Sequence, residues 1–273
     1  MNTLSAEKKL TVISSLLEGN SVRSTERMTG VHRDTICRLL VAVGDRCAAI
    51  MDSRMRNLNL RYLQLDECWT YVAKKRRRVR KDDPPEFGDA WCFICLDEES
   101  KLIPSFLVGK RTQEDTARFL WDVYSRLASP PQITTDGLVH YTRLVPEYFE
   151  FGTSFSQLIK LFGDYGQFDI PEARYSPPRI AEVISRVRLG DPDPEHISTS
   201  FVERGNLTLR MAMRRFTRLT NGFSKKLSHL RAACALHFTH YNFCRVHSSL
   251  RVTPAIAAGI SNRIWELQEL IVA

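Results

Sequence analysis

The sequence predicts a mixed α/β fold, in which a helical N-terminal module is followed by a mixed sheet flanked by helices. Three observations support this prediction. Apolar residues in the first fifty positions recur with the spacing of helices, whereas the segment from residue 61 alternates and is rich in aromatic and β-branched residues. A long basic stretch with helical spacing follows residue 198. At 273 residues and 43% hydrophobic content, the chain can bury a sizeable core.

The composition narrows the function classes. A formal net charge of +8 and a pI near 9.2 favour a polyanionic partner. No apolar run approaches the roughly 20 residues that a membrane-spanning helix needs. The first residues lack the basic-then-apolar pattern of a signal peptide, and the seven cysteines are scattered and odd in number. We therefore expect a cytoplasmic protein with reduced thiols and no membrane contact.

Residues 1–52 are predicted to form three helices. Gly19-Asn20 ends the first helix, Gly30 ends a short second helix, and a longer third helix follows. This order is typical of a helix-turn-helix DNA-binding domain, with a recognition helix that begins near residue 32. The residues expected to touch base edges or phosphates are Arg33, Thr35 and Arg38. A small helical bundle used for dimer contacts is the alternative.

The segment 61–136 is predicted to contain four strands and one helix. RYLQLDECWTYV forms the first strand, and AWCFICLDEESKLIPSFLVGKR forms two strands joined by a polar turn at 97–100. The helix over 112–128 has Thr112 as its N-cap, and QITTDG supplies the next strand. Its apolar face is predicted to comprise Ala117, Leu120, Trp121, Tyr124 and Leu127. In a mixed sheet, Asp66 and Asp136 can then lie on neighbouring strands.

The remaining segments are assigned more coarsely. Residues 141–198 are interpreted as a partly helical insertion, with a helix over 178–189. Residues 258–273 are predicted to form a C-terminal helix.

The stretch after residue 198 places Glu203, Asn206 and Arg210 on one helix face, because offsets of three, four and seven residues return to the same side. A carboxylate followed by a polar group and a cation suits a DNA strand laid across that face. Ser200-Phe201-Val202-Glu203 also fits a capping box, in which Glu203 reaches back to its own helix start. Spacing alone leaves both interpretations open.

Three acids on separate elements, Asp66, Asp136 and Glu203, are set among apolar or aromatic residues. Carboxylate oxygens are the ligands that hard divalent cations prefer. The pattern therefore indicates a two-metal site for phosphodiester chemistry.

These residues resemble a DDE transposase of the family named after insertion sequence one. TDGLVHY at 135–141 resembles the family's Thr-Asp-Gly block with a following aromatic position, and VERGNLTLRMAMRRFTRLTNGFSKKL at 202–227 resembles its Glu-Arg-x-Asn-x-x-x-Arg signature. YNFCRVHSSLRVTPA at 241–255 is similar to the tail of many retroviral-integrase-like transposases. The likeness covers roughly 61–140 and 198–257. Gly205 departs from the pattern, since another polar residue is more usual there.

The resemblance implies an RNase-H-like catalytic domain over 60–257, with catalytic and metal-binding roles for Asp66, Asp136 and Glu203. It also implies two Mg²⁺ ions, with Mn²⁺ as a possible substitute, and DNA contacts by Asn206 and Arg210. The implied reaction is cleavage of transposon ends and their joining to target DNA. The implied partners are double-stranded DNA and further copies of the chain, as a homodimer or larger oligomer. The implied location is a prokaryotic cytoplasm, in association with the nucleoid.

Some interpretations stay open. The basic run at 74–81, which contains Lys74, Lys75, Arg76, Arg77 and Arg78, is either a contact for the DNA backbone or a solvated loop. Glu67 is predicted to point to the opposite strand face from Asp66 and to be structural. The alternative function is a non-catalytic helix-turn-helix repressor or a decayed transposase copy. An RNase-H-type nuclease acting on hybrids is disfavoured by the helix-turn-helix and the basic tail.

Overall fold

The computed structural model describes residues 4–149, 152–162, 180–217 and 221–271. Its N-terminal part contains helices α1 (Ala6–Leu17), α2 (Val22–Thr29) and α3 (Arg33–Arg54). Ser5 and Ser21 accept hydrogen bonds from the first turns of α1 and α2, and Gly30 ends α2 in the left-handed conformation. The three predicted N-terminal helices are therefore present.

Within the described residues, six strands form one mixed sheet. They are β1 (Tyr62–Val72), β2 (Gly88–Asp97), β3 (Ser105–Gly109), β4 (Gln132–Thr135), β5 (Ser154–Phe162) and β6 (Ile180–Leu189). The order is β3-β2-β1-β4-β5-β6. β1 runs antiparallel to β2 and parallel to β4, and β4 runs parallel to β5. The predicted mixed α/β sheet flanked by helices is confirmed.

Helices cover both faces of the sheet. They are α4 (Gln113–Arg126), α5 (Val139–Tyr148), α6 (Ser200–Ala212) and α7 (Leu227–Phe243), with short helices α8 (Pro254–Ala257) and α9 (Leu267–Ile271) near the C-terminus. Phe93 packs on Phe119 of α4, whereas Phe106 packs on Phe238 of α7. The β2–β3 register puts Phe93 and Phe106 on opposite sheet faces. α4 and α7 therefore lie on opposite sides of the sheet.

The N-terminal helices join the same core through α3. Val43, Cys47 and Met51 of α3 are buried in the cluster that contains the sheet. A Cβ at Gly44 would lie 2.5 Å from the Cα of Ala232, so α3 and α7 approach closely only because residue 44 is glycine. The Thr239 hydroxyl donates to the carbonyl of Cys47 across the same contact. α3 is thus a rigid extension of the layer formed by α7.

Two predictions about local structure are wrong. Residues 180–189 of the helix predicted over 178–189 form strand β6 instead, because their backbone groups pair with β5 in an antiparallel ladder. Of the helix predicted over 258–273, the described residues form only α9, Leu267–Ile271, and Gly259 has a positive φ of 72° just after α8. Two parts of the predicted insertion, 150–151 and 163–179, lie outside the described residues. Among the helices described, none is long and apolar enough to cross a membrane.

Candidate active site

The parallel pairing of β1 with β4 brings two predicted acids together. The register pairs Leu65 with Thr135, so the next residues along the two strands are Asp66 and Asp136. Asp66 accepts a hydrogen bond from its neighbouring backbone N–H at Glu67, over 2.8 Å. Asp136 accepts one from the backbone N–H of Leu138, over 3.0 Å. Both carboxylates are therefore held by backbone groups at the point where β4 ends.

A third acid, Glu67, belongs to this cluster, although the sequence suggested a purely structural role. One carboxylate oxygen from each of Asp66, Glu67 and Asp136 lies within 4.8 Å of the others. Glu67 is buried and accepts hydrogen bonds from the hydroxyl of Tyr141, over 2.5 Å, and from Nε of Arg111, over 3.1 Å. The terminal nitrogen of Arg111 also lies 3.3 Å from Asp136. Arg111 therefore bridges two of the three acids.

α6 is fixed against β1 beside the acidic cluster. The side-chain oxygen of Gln64 accepts hydrogen bonds from the backbone N–H groups of Phe201 and Val202, over 3.0 and 3.1 Å. It therefore satisfies two of the N–H groups that a helix start leaves without partners. Gln64 and Asp66 lie two residues apart and so share a sheet face. One turn further along α6, the amide nitrogen of Asn206 donates to Asp66 over 2.7 Å.

Glu203 lies beside the cluster rather than within it. Its carboxylate pairs with Lys160 of β5 and accepts a hydrogen bond from the Thr199 hydroxyl over 2.6 Å. Thr199 is the N-cap of α6 and makes no capping hydrogen bond with its side chain, and its contact with Glu203 joins two side chains, so the capping box starting at Ser200 is not formed. Glu203 is nevertheless close enough to raise the pKa of both Asp66 and Asp136.

The three acids of the cluster have raised pKa values. Burial and the neighbouring Asp136 raise the pKa of Asp66 to about 7. The same two causes raise the pKa of Glu67 to about 8. Burial also raises the pKa of Asp136, against the opposing effects of the Leu138 N–H and Arg111. Raised carboxylate pKa values are expected where several acids share a site with too few cations.

The residues present fit a divalent cation. The donor set is made of carboxylate oxygens, which Mg²⁺ and Mn²⁺ prefer. The side-chain oxygen of Asn206 is buried next to Asp66 and has no hydrogen-bond partner among the described residues. The site therefore combines closely spaced acids with a further oxygen that lacks a partner.

The predicted DNA-contacting residues of α3 lie at its start. Arg33 and Arg38 are exposed and Thr35 is half-buried. The guanidinium of Arg38 donates to the hydroxyl of Thr35, over 3.3 Å. Arg33 lines a groove between the N-terminal helices and the segment that follows α6.

The remaining predicted contacts are distributed over several surfaces. Lys74 is engaged by Asp83, at 2.5 Å, and Lys75 lies over the ring of Tyr71. The other three, Arg76, Arg77 and Arg78, are exposed in a short 3-10 turn. Arg210 donates to the carbonyl of Phe216 over 3.4 Å, and Asn206 is buried against Asp66. The exposed turn is thus open to solvent, whereas Asn206 faces the acids.

No protein-family model matches the chain, and no curated protein matches it. Among solved structures, it is similar to the piggyBac transposase in a synaptic complex with hairpin DNA, with 11% identity over 99% of this chain and 70% of that one, and a TM-score of 0.42. It is also similar to the Mos1 transposase in a paired-end complex with the left transposon end, with 11% identity over 57% of this chain and 60% of that one, and a TM-score of 0.23. It is similar as well to the Mos1 transposase in a strand transfer complex, with 12% identity over 87% of this chain and 77% of that one, and a TM-score of 0.25. Likeness at this level does not assign a function.

Proposed function

We propose that this protein is a DDE transposase, which cleaves the ends of a mobile DNA element and joins them to target DNA. The observation that carries the proposal is the meeting of Asp66 and Asp136 at the end of β4, with α6 docked beside them. The acids come from segments that are 70 residues apart in sequence, and Glu203 adds a third from α6. The sequence motifs around these acids resemble those of the insertion-sequence-one family.

In this proposal, Asp66, Asp136 and Glu203 hold two Mg²⁺ ions, with Mn²⁺ as a substitute. When bound, the ions activate the attacking oxygen and stabilise the leaving oxygen of the phosphodiester. Asn206 orients Asp66 through its 2.7 Å hydrogen bond. Arg111 offsets part of the negative charge of Glu67 and Asp136 until the ions bind.

Lys160 has two roles in the proposal. In the metal-free protein it neutralises Glu203. When Glu203 turns toward the aspartates, Lys160 loses its carboxylate partner. Its ammonium group is then free to bind a phosphate of the DNA substrate next to the acids. Residues 1–52 act as the DNA-recognition domain and residues 60–257 as the catalytic domain.

The test is a metal-dependent nicking assay on DNA that contains the sequences flanking the chain's own gene. We expect Mg²⁺-dependent nicks from the wild type and none from Asp136→Asn, because the variant loses one carboxylate of the cluster. Asp82→Asn is the matched control, since Asp82 is exposed in the loop between β1 and β2. Nicking by Asp136→Asn at the wild-type rate would remove Asp136 from the active site.

One observation favours the alternative, a non-catalytic DNA-binding protein. Glu203 is engaged by Lys160 and Thr199 instead of joining the two aspartates. In that case the wild type binds the same DNA but makes no nicks with either Mg²⁺ or Mn²⁺. The same assay, run beside a gel-shift measurement, therefore separates the two functions.

A further inference from the structure

A groove of about 900 Å³ separates the N-terminal helices from the segment that follows α6. One wall is formed by the turn between α1 and α2 and by the start of α3. The other wall is formed by 213–215, 221–225 and the first half of α7. The floor is apolar and includes Leu16, Leu40 and Met213. The groove is therefore distinct from the acidic cluster on β1 and β4.

The groove is strongly positive. Its lining contains five cationic side chains and a single acidic one, Asp34. The five cations are Arg23, Arg33, Arg214, Arg215 and Lys225. Within the described ranges, none of the five has a carboxylate oxygen within 4.0 Å, although other cations of the chain, such as Arg111 and Arg126, form such pairs. The groove thus gathers five cations without carboxylate partners along its lining, apart from the exposed basic turn at 76–78.

Arg215 is the most informative of these cations. Its guanidinium donates to the hydroxyl of Ser224 over 2.8 Å, and burial lowers its pKa. Burial also lowers the pKa of the neighbouring His229, and Arg215 adds to this effect. A partly buried charge with only neutral partners costs free energy that an anion would offset. An anion bound in the groove would therefore offset the cost of holding the Arg215 guanidinium against Ser224 without a carboxylate partner.

The groove also lies in line with the acidic cluster. α6 runs from Glu203, beside the acids, to Ala212. Ala212 lies at the edge of the groove, because a Cβ at Gly19, which lines the groove, would be only 3.0 Å from the Ala212 carbonyl oxygen. Nine residues of helix span about 13 Å at 1.5 Å per residue. This distance corresponds to about four nucleotides at 3.4 Å per nucleotide of one DNA strand. Arg210 lies between the two ends of this path.

We propose that this groove binds the sugar–phosphate backbone of DNA, about four nucleotides away from the phosphodiester held at the acidic cluster. Phosphates pair with Arg214, Arg215 and Lys225, and the apolar floor lies beneath the sugars. This inference rests on the proposed function, because it assumes that DNA runs along α6. Arg214, Arg215 and Lys225 lie within the signature block at 202–227, but none of them, nor Arg23, is among the predicted DNA-contacting residues, so the inference gives these four cations a role.

The test compares the salt dependence of DNA binding in three proteins. The probe is a fluorescein-labelled duplex of mixed sequence, about 30 base pairs long, measured by anisotropy in EDTA between about 50 and 200 mM salt. The groove variant is Arg214→Gln with Lys225→Gln, both exposed positions. The control, matched in charge and exposure, is Arg118→Gln with Arg143→Gln, which removes two exposed charges from α4 and α5 that are paired with Asp115 and Glu147.

In the groove variant, we expect the slope of the log of the DNA association constant against the log of the salt concentration to become shallower by about 1.8. Each lost phosphate contact reduces the slope by about 0.9, and the variant loses two contacts. The control is expected to keep the wild-type slope. A groove variant with the wild-type slope, or a control that loses as much as the groove variant, would overturn the proposal. Tighter binding of an RNA duplex of the same sequence would overturn the assignment to DNA.

The nicking assay separates this inference from the proposed function. If the wild type nicks DNA with Mg²⁺ while the groove variant keeps its salt slope, only the groove assignment fails. If the wild type neither nicks nor binds DNA, the proposed function fails and the groove assignment with it. Circular dichroism of both double variants checks that they fold.

Discussion

Replacing Asp136 with Asn should stabilise the metal-free protein at alkaline pH while it abolishes nicking. Asp66 and Glu67 have folded-state pKa values of about 7 and about 8, above those of unfolded chains. The folded state therefore binds more protons than the unfolded state between about pH 4 and pH 8. Stability contributed by these acids is present at low pH and is lost as the pH rises through this window. Asp136 is the main neighbouring charge behind both shifts.

The magnitude follows from the distances. Two charges 4.8 Å apart, the upper limit in the cluster, repel by about 3.5 kcal/mol at an effective dielectric constant of 20. Asp136 meets two such neighbours, and it is attracted to Arg111 at 3.3 Å by about 5 kcal/mol on the same scale. The repulsion exceeds the attraction by about 2 kcal/mol. For a chain of this size, that corresponds to a rise in Tm of about 4–8 °C.

The assay is thermal unfolding in EDTA across pH, followed by circular dichroism. We expect the Tm of Asp136→Asn to exceed that of the wild type above pH 8, and the difference to shrink toward pH 5 as Asp66 and Glu67 become protonated. Asp82→Asn, at an exposed position, should leave the Tm within about 1 °C at every pH. A variant that is destabilised above pH 8, or a difference that does not change with pH, would refute the account of the cluster as mutually repelling acids.

Three further changes have defined outcomes. Lys160→Gln removes the cation that engages Glu203, so we expect Mg²⁺ to bind several-fold more tightly in calorimetry; unchanged affinity would show that this ion pair does not compete with the metal. Gly44→Ala places a Cβ 2.5 Å from the Cα of Ala232, so the free energy of unfolding should fall by about 1–3 kcal/mol in urea titrations, and an unchanged midpoint would contradict the close packing of α3 on α7. Glu67→Gln removes a buried acid of the cluster and should weaken Mg²⁺ binding about tenfold; wild-type affinity would confine Glu67 to a structural role.

The sheet was predictable because its strands carry strong local patterns. The alternation of β1 and the polar turn before β3 identify these strands without any tertiary information. The pairing of Asp66 with Asp136 on neighbouring strands follows from the mixed α/β fold, and the observed register agrees. Sequence spacing alone cannot supply this proximity, since 70 positions separate the two acids.

The contacts of Glu67 with Arg111 and its closeness to Asp136 were not predicted, for a physical reason. Adjacent strand residues point to opposite faces, so pattern reasoning separates Glu67 from Asp66. Asp136, however, lies just after the end of β4, where side chains from both faces of the sheet can approach it. Arg111, which follows the end of β3, contacts both Glu67 and Asp136 there. The sequence does indicate a cation at this edge of the sheet, since Lys110 and Arg111 directly follow Gly109, the last residue of β3.

The other wrong predictions concern a segment and a helix face whose structure is set by tertiary contacts rather than by local sequence pattern. Ile180, Val183, Ile184 and Val187 have helical spacing, yet pairing with β5 makes this segment a strand. In α4, Leu120 is buried as predicted, but Trp121 and Tyr124 are exposed, and Phe119 and Val123 are buried instead. The helix is rotated relative to the predicted face because Phe119 packs on Phe93.

The length of α3 has a consequence for the spacing of bound DNA sequences along the protein. This helix has 22 residues, or about 33 Å, and it joins the N-terminal helices to the layer formed by α7 without a flexible linker. Under the proposed function, the fixed length of α3 would set the distance between the DNA sequence that is recognised and the bond that is cut. Terminal repeats that differ from one another by an insertion of half a helical turn of DNA would therefore be cut unequally.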